Sequence, residues 1–239
     1  MENSCKENLK QSSKKWVIAS CYPKFRRNLC LRSTNADLYH YAGNNPVRYI
    51  DPDGRKIVLE GDYKQKQDIV EWINKYSYIQ YDTSANGELI LSGKINKNGS
   101  RKYSDDIQCM RETGTDTYIS ISDIFVDPYT KKVTKIDGGE TFSNGKNENM
   151  YIVITGRPTE ARPSGKGFLK ETLPERILLH EISGHAVPRR FNIDANAVKI
   201  ENTIIEELNS KRWFFKLKFR MPDPEHYSLK PEERELLNK

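Results

Sequence analysis

The sequence is poor in cysteine and has no long apolar run. Four of its 239 residues are cysteine, and their spacing is typical of neither a zinc ribbon nor a disulfide framework. We therefore expect the main part of the chain to fold on its own apolar core. No stretch approaches the roughly 18–20 apolar residues of a membrane-spanning helix, and residues 16–19 are too short an apolar run for a secretory signal. Membrane, fibrous and conventionally secreted classes are thus not expected.

Most of the chain also lacks an excess of charge of either sign. The net charge is +6, but residues 1–33 hold eight of the 39 basic and two of the 33 acidic side chains, so residues 34–239 have 31 of each. A domain that clamps a phosphate backbone needs a basic face. We therefore do not expect a nucleic-acid partner, and we interpret the basic leader as a solvated tail.

Three segments differ in composition. Residues 1–36 are a basic, disordered or remnant leader, and residues 37–55 are rich in turn-forming residues, such as Gly43-Asn44-Asn45-Pro46 and Asp51-Pro52-Asp53-Gly54. In residues 56–239, four β-branched or aromatic runs predict strands, at 56–60, 88–91, 117–121 and 150–154. Helical spacing predicts helices at 63–76 and 103–112, and from Pro174 onward with Thr172 as a cap. Strands followed by helices favour an α+β fold with a small mixed or antiparallel sheet.

The second segment carries a family resemblance. The order Tyr-x-Gly-Asn-Asn-Pro-Val-x-Tyr-x-Asp-Pro-x-Gly over residues 41–54 resembles the closing motif of RHS/YD-repeat proteins. In that family the motif ends a large β-shell and a variable C-terminal toxin domain follows. The shell-forming repeats are absent here. The resemblance therefore implies a shell stub, then an effector domain from about Lys56 that is secreted or delivered and has a cognate immunity protein.

The chemistry of the sequence concentrates in His180-Glu181-Ile182-Ser183-Gly184-His185. Zinc peptidases use His-Glu-x-x-His because residues four apart share a helix face, so two imidazoles converge on one ion while the glutamate activates the bound water. Here the spacing is five, which puts the histidines about 140° apart on a regular α-helix. Two local structures would correct this. A π-bulge makes five residues one turn, or Gly184 ends the helix in a left-handed conformation and His185 returns from the loop.

Within RHS toxins, this His-Glu-x-x-Gly-His variant resembles a subtype of metallopeptidase domain. The resemblance implies a zincin-like arrangement, Zn²⁺ as cofactor and a protein or peptide substrate. Glu181 would be the general base, and His180 and His185 would be two metal ligands.

A third ligand is needed, because catalytic zinc usually has three protein ligands. Residues 194–209 predict a helix capped by Asp194, whose apolar stripe is interrupted at Glu201 and Asn202. A carboxylate on an apolar face is costly to bury unless it is paired or bound to metal. We therefore expect Glu201 to be the third ligand and Asn202 to orient a ligating side chain. In the resembling toxins, a Glu-Asn pair follows at a similar distance. Glu206 and Glu207 are alternatives that are expected to be solvated.

Two other segments have open interpretations. His226-Tyr227, flanked by prolines, either lies near the cleft as a transition-state donor or is plain surface. Residues 213–219 (Trp-Phe-Phe-Lys-Leu-Lys-Phe) predict packing as a strand or at a helix end.

Three functions remain open from the sequence. The first is a zinc-dependent peptidase that serves as the toxic module of an RHS-type protein. The second is a non-catalytic remnant or binding module, in which the longer spacing has disabled the site. The third, which the neutral body disfavours, is a nuclease-type toxin.

Overall fold

The computed structural model describes residues 56–112, 115–143 and 148–229. The leader and the segment that resembles RHS proteins lie outside the described residues, so the expectations for residues 1–36 and 37–55 stay predictions.

The described residues form ten strands, five α-helices and one π-helix. The strands are β1 (Ile57–Leu59), β2 (Ile79–Thr83), β3 (Leu89–Ile95), β4 (Thr117–Ile121), β5 (Ile124–Val126), β6 (Val133–Lys135), β7 (Gly139–Ser143), β8 (Met150–Ile154), β9 (Thr159–Glu160) and β10 (Glu171–Thr172). The helices are α1 (Tyr63–Tyr76), α2 (Arg101–Glu112), α3 (Pro174–Leu179), the π-helix (His180–Ala186), α4 (Val187–Phe191) and α5 (Ala197–Ser210).

A four-stranded sheet in the order β1-β4-β8-β7 organises the fold. β1, β4 and β8 are parallel, and β7 runs antiparallel to β8 at the edge. The three parallel strands are short and rich in β-branched residues, as expected for parallel strands, whose two faces are normally covered. The sheet is thus mixed, and both its antiparallel edge strand β7 and the neighbouring β8 contact the π-helix.

The core lies between one face of this sheet and the helices. Ile119 and Ile152 of the central strands are buried, as are Ile69 and Ile73 of α1 and Leu178 of α3. The opposite face carries aromatic rings, since Tyr118 stacks on Tyr151 with centroids 5.2 Å apart and Phe125 of β5 stacks on Phe142 of β7 at 4.1 Å. The β5–β6 hairpin therefore covers the far face of β7 and β8.

The α+β class is confirmed, and so are most predicted elements. Strands 117–121 and 150–154 and helix 63–76 have the predicted bounds. Six strands (β2, β5, β6, β7, β9 and β10) were not predicted, because they have only two or three residues or, in β2 and β7, are interrupted by polar residues. Two predicted caps are wrong. α3 begins after Leu173 without a side-chain cap, and α5 is capped by Asn196, whose side chain accepts from the Lys199 N–H.

Two predictions about packing are also wrong. Residues 213–219 form neither strand nor helix, and Trp213, Phe214 and Phe215 are exposed. Glu207 is not simply solvated. Its carboxylate accepts hydrogen bonds from Ser100 Oγ at 2.6 Å and from the Arg101 N–H at 2.8 Å, and it thereby caps the N-terminus of α2. Glu206 is exposed, as expected. Among the described residues, we find no helix that is both long and apolar enough to cross a bilayer.

We expect Asp106→Asn to stabilise the protein at neutral pH. Asp106 is buried on α2; its carboxylate lies 3.7 Å from Lys102 Nζ, and its Oδ2 has no hydrogen-bond partner. Burial raises its pKa from 3.8 to about 6. The folded state therefore holds this proton more tightly than the unfolded state, so the carboxyl lowers the free energy of unfolding progressively as the pH rises from about 4 to 6. The variant should gain about 1–3 kcal/mol at pH 7.5 and almost nothing at pH 3.5.

Urea unfolding of both proteins at the two pH values checks this expectation. Glu71→Gln, an exposed carboxylate on α1, is the matched control and should have no effect at either pH. An equal effect of Asp106→Asn at both pH values would contradict the argument.

Candidate metal centre

The π-helix reconciles the five-residue spacing of the two histidines. Helix α3 continues into the π-helix without a break, and the Val187 N–H bonds the Ile182 carbonyl five residues back. Because five residues then complete about one turn, the rings of His180 and His185 come to the same side, with centroids 5.0 Å apart. The π-bulge prediction is confirmed.

Gly184 does not end the helix in a left-handed conformation, which was the other local structure compatible with the spacing. It is not among the glycines with positive φ. A Cβ on Gly184 would lie 2.9 Å from Ala197 Cβ and 3.2 Å from the Ala197 Cα and carbonyl oxygen. Glycine is therefore required because the first residue of α5 packs directly on the backbone of the π-helix.

His226 completes a cluster of three imidazoles. Its Nε2 lies 3.1 Å from Nε2 of His180 and 3.2 Å from Nε2 of His185. The segment that carries it runs beside the start of α5, where the Ala197 N–H bonds the His226 carbonyl at 3.0 Å and the Ser228 N–H bonds the Ala195 carbonyl at 2.7 Å. One ligand-capable atom from each of the three histidines lies within 4.8 Å of the others, close enough to bind one metal ion.

The opposite nitrogens of the rings face acceptors. Nδ1 of His180 lies 2.7 Å from Glu201 Oε2, and Nδ1 of His185 lies 3.4 Å from the Ser228 carbonyl oxygen. Nδ1 of His226 lies 3.8 Å from Asp223 Oδ2. An acceptor at Nδ1 fixes the hydrogen there and leaves the lone pair on Nε2. The lone pairs of His180 and His185 therefore point into the cluster.

A cation fits this arrangement better than the protein atoms alone. With a hydrogen on its Nε2, His226 could donate to only one of the two facing lone pairs, and the other would stay unsatisfied. Around a tetrahedral zinc with bonds of about 2.0–2.1 Å, ligand nitrogens stand about 3.3 Å apart. The two measured separations are close to this value, so the donor set and its spacing both suit a metal ion.

The electrostatics keep the cluster in its ligating form. Burial lowers the pKa of His226 to about 4 and lowers the pKa of His185 well below its ordinary value. Both rings are thus neutral at neutral pH, which is the state that binds metals.

Glu201 lies behind His180 and outside the converging set. It is fully buried; Arg176 Nε donates to its Oε1, and Arg220 Nε donates to its Oε2 at 2.9 Å. Burial alone would raise its pKa, but the Arg176 guanidinium, His180 and Arg220 outweigh this and hold the pKa of Glu201 well below its ordinary value. The free-energy cost of burying this carboxylate on the apolar stripe is therefore offset by its pairing with two arginines and an imidazole. We replace Glu201 by His226 as the third candidate ligand.

Asn202 does not contact a candidate ligand directly. Its side-chain amide pairs with the backbone of Arg220, donating to the carbonyl at 2.8 Å and accepting from the N–H at 2.9 Å. It thereby fixes the chain just before the segment that carries His226. The predicted role of Asn202 in orienting a ligand thus has no direct contact behind it, and its side chain acts on the backbone of Arg220.

Glu181 is a buried carboxylate beside the cluster. Thr141 Oγ1 of the edge strand donates to its Oε2 at 2.9 Å. Burial raises the pKa of Glu181, while His180 and Thr141 act in the opposite direction. Gly139 on the same strand keeps room for it, since a Cβ there would come 2.9 Å from Glu181 Cγ. A carboxylate with a raised pKa is suited to accept and return a proton near neutral pH.

Arg189 connects the supports of both groups. Its Nε donates to the Ser228 carbonyl at 3.1 Å, the same oxygen that faces His185, and its Nη1 donates to the Thr141 carbonyl. Strand β7, which holds Glu181, and the segment that holds His185 are thereby braced by one side chain.

Comparison of the chain with protein-family models, with curated proteins and with solved structures finds no match.

Proposed function

We propose that residues 56–239 form a zinc-dependent peptidase that acts as the effector module of an RHS-type protein. The observation that carries the proposal is the convergence of three Nε2 atoms, two of them 3.1 and 3.2 Å from the third, beside a buried glutamate. His180, His185 and His226 would hold the ion. Three imidazole ligands and one open coordination position are typical of a catalytic zinc centre.

Zinc held by these residues would lower the pKa of a water molecule to near 7 and polarise the carbonyl to be attacked. Glu181 takes the proton of the attacking water and later gives it to the leaving amine. The Thr141 hydroxyl keeps its carboxylate oriented for both transfers. Glu201 holds the tautomer of His180, and Arg176 and Arg220 keep Glu201 charged.

Substrate would bind along β7, since this strand is the edge of the sheet and its Thr141 hydroxyl holds Glu181. A cavity of about 250 Å³, lined in part by Glu140, Phe142, Tyr151 and Arg189, lies on the other face of β7 beneath the β5–β6 hairpin and is not part of this site.

The zincin-like arrangement is part of this proposal. Its support is a mixed sheet whose antiparallel edge strand and neighbouring β8 both contact the helix that carries His-Glu. The effector role, the delivery of the domain and a cognate immunity protein rest on the resemblance of residues 41–54 to RHS proteins.

The zinc content of the purified chain and its cleavage of peptides test the proposal together. We expect about one zinc per chain by elemental analysis, and cuts in a mixed peptide library that mass spectrometry maps to a consistent sequence context. Dipicolinic acid should abolish cleavage and lower the melting temperature, and added Zn²⁺ should restore both. Stoichiometric zinc with no cleavage of the library or of casein would contradict the peptidase, and a chain without metal would favour the non-catalytic module with a disabled site.

A further inference from the structure

Three consecutive aromatic side chains project from the loop after α5. Trp213, Phe214 and Phe215 are 88%, 72% and 92% exposed. Large rings are normally turned into the core, and a contiguous exposed group of them marks a contact surface. Residues 213–215 are called the aromatic tip below.

The loop is held in shape at its base. Asn209 closes it with two hydrogen bonds to Leu217, donating to the carbonyl at 2.9 Å and accepting from the N–H at 2.7 Å. At the tip, Phe215 has a φ of 54°, in the left-handed region that aromatic residues rarely adopt. The closed base and this backbone conformation turn the rings away from the protein.

The loop that carries the tip is rich in basic residues. Residues 211–220 contain five basic residues and no acidic one. Lys211 is paired with Glu207 and Arg220 with Glu201, whereas Lys216 and Lys218 are exposed beside the rings. An apolar tip with two exposed lysines next to it complements an apolar layer beneath a layer of anions.

We propose that the aromatic tip inserts into the interface of an anionic lipid bilayer, with the neighbouring lysines on the headgroups. Aromatic rings concentrate at this interface, and each basic residue near an anionic leaflet adds to binding. Single-stranded nucleic acid is disfavoured, because its binding sites combine aromatic stacking with a charged groove that follows the backbone. Here the rings stand on a protrusion, and those of Trp213 and Phe214 are inclined by 62°. This surface does not depend on the peptidase proposal.

Cosedimentation of the full chain with vesicles tests the proposal. Binding should be strong to 70:30 phosphatidylcholine:phosphatidylglycerol, weak to phosphatidylcholine alone, and reduced by 0.5 M NaCl. Phe215→Gly suits the left-handed backbone and so preserves the fold; it should nevertheless weaken binding several-fold. Trp213→Ala/Phe214→Ala should weaken it by about tenfold or more, and Lys216→Gln/Lys218→Gln should reduce the preference for the anionic vesicles. All variants keep the basic leader, so differences between them report on the loop.

The matched control is Tyr63→Ala, which removes an aromatic ring that is 78% exposed on α1. It should leave vesicle binding unchanged. Vesicle binding that is insensitive to Phe215→Gly would overturn the proposal. So would a lower melting temperature in the tip variants with unchanged binding, which would mean that the chain itself covers the tip. Loss of a dimer in sedimentation would assign the tip to a second copy, and loss of tight oligo-dT binding would assign it to nucleic acid.

Discussion

Glu181→Gln is expected to abolish peptide cleavage while the protein keeps its zinc. The glutamine retains the shape of the side chain and can still accept the hydrogen bond from Thr141, but it cannot take a proton from water. General acid–base groups contribute about 10²–10⁴-fold to rate, so kcat should fall within that range or below detection. The metal should stay because Glu181 is not among the three converging side chains. Cleavage rate and zinc content of the same preparation are the measurements.

The control for this substitution is Glu206→Gln. It makes the same chemical change at an exposed position of α5 and should alter neither quantity. Full cleavage by Glu181→Gln would remove Glu181 from the mechanism. Loss of zinc from the folded variant would mean that Glu181 binds the metal instead.

His226→Ala is expected to have the largest effect on zinc affinity. Structural zinc sites are worth roughly 10–16 kcal/mol, or about 3–4 kcal/mol per ligand, so losing one ligand should weaken binding by about 10²–10³-fold. Glu201→Gln should weaken it less, by about 10–100-fold, as is usual for a residue that orients a ligand. Competition with a chromophoric chelator gives both affinities.

Glu225→Ala is the control for the His226 segment. Glu225 is exposed and directly precedes His226, so its substitution should leave the zinc affinity unchanged. X-ray absorption at the zinc edge should report three imidazoles. The reverse order, with Glu201→Gln losing the metal and His226→Ala keeping it in a folded protein, would restore Glu201 as the ligand. Because Glu201 is paired with two buried arginines, its variant needs a melting curve before its affinity is interpreted.

The local part of the site could be predicted from the sequence. His180, Glu181 and His185 lie within six residues, and the geometry of a helix limits how they can be arranged. The five-residue step left two solutions, and the structure has the π-helix. Sequence spacing could not show why Gly184 is needed, because the reason is its close contact with Ala197 on another helix.

The long-range part could not be predicted in the same way. The interruption of the apolar stripe correctly marked Glu201 as a buried, compensated carboxylate, but burial alone does not say whether arginines or a metal compensate it. Arg176 and Arg220 lie 25 and 19 residues away along the chain. His226 lies in a loop between prolines, where no periodicity indicates its direction. The one available signal is that the chain has four histidines in all. Since His40 precedes residues 56–239, a three-histidine set within those residues would have required His226.

The path of the His226 segment has a consequence for when the proposed metal site can form. His226 follows His180 by 46 residues, and it is held by the start of α5 and by the amide of Asn202. Since 41 residues separate His185 from His226, synthesis at about 5–20 residues per second puts roughly 2–8 s between the second ring and the third. A nascent chain therefore has Glu181 and two of the imidazoles but lacks the third candidate ligand, and the proposed hydrolysis would have to wait until α5 has folded and the last ring has docked on it.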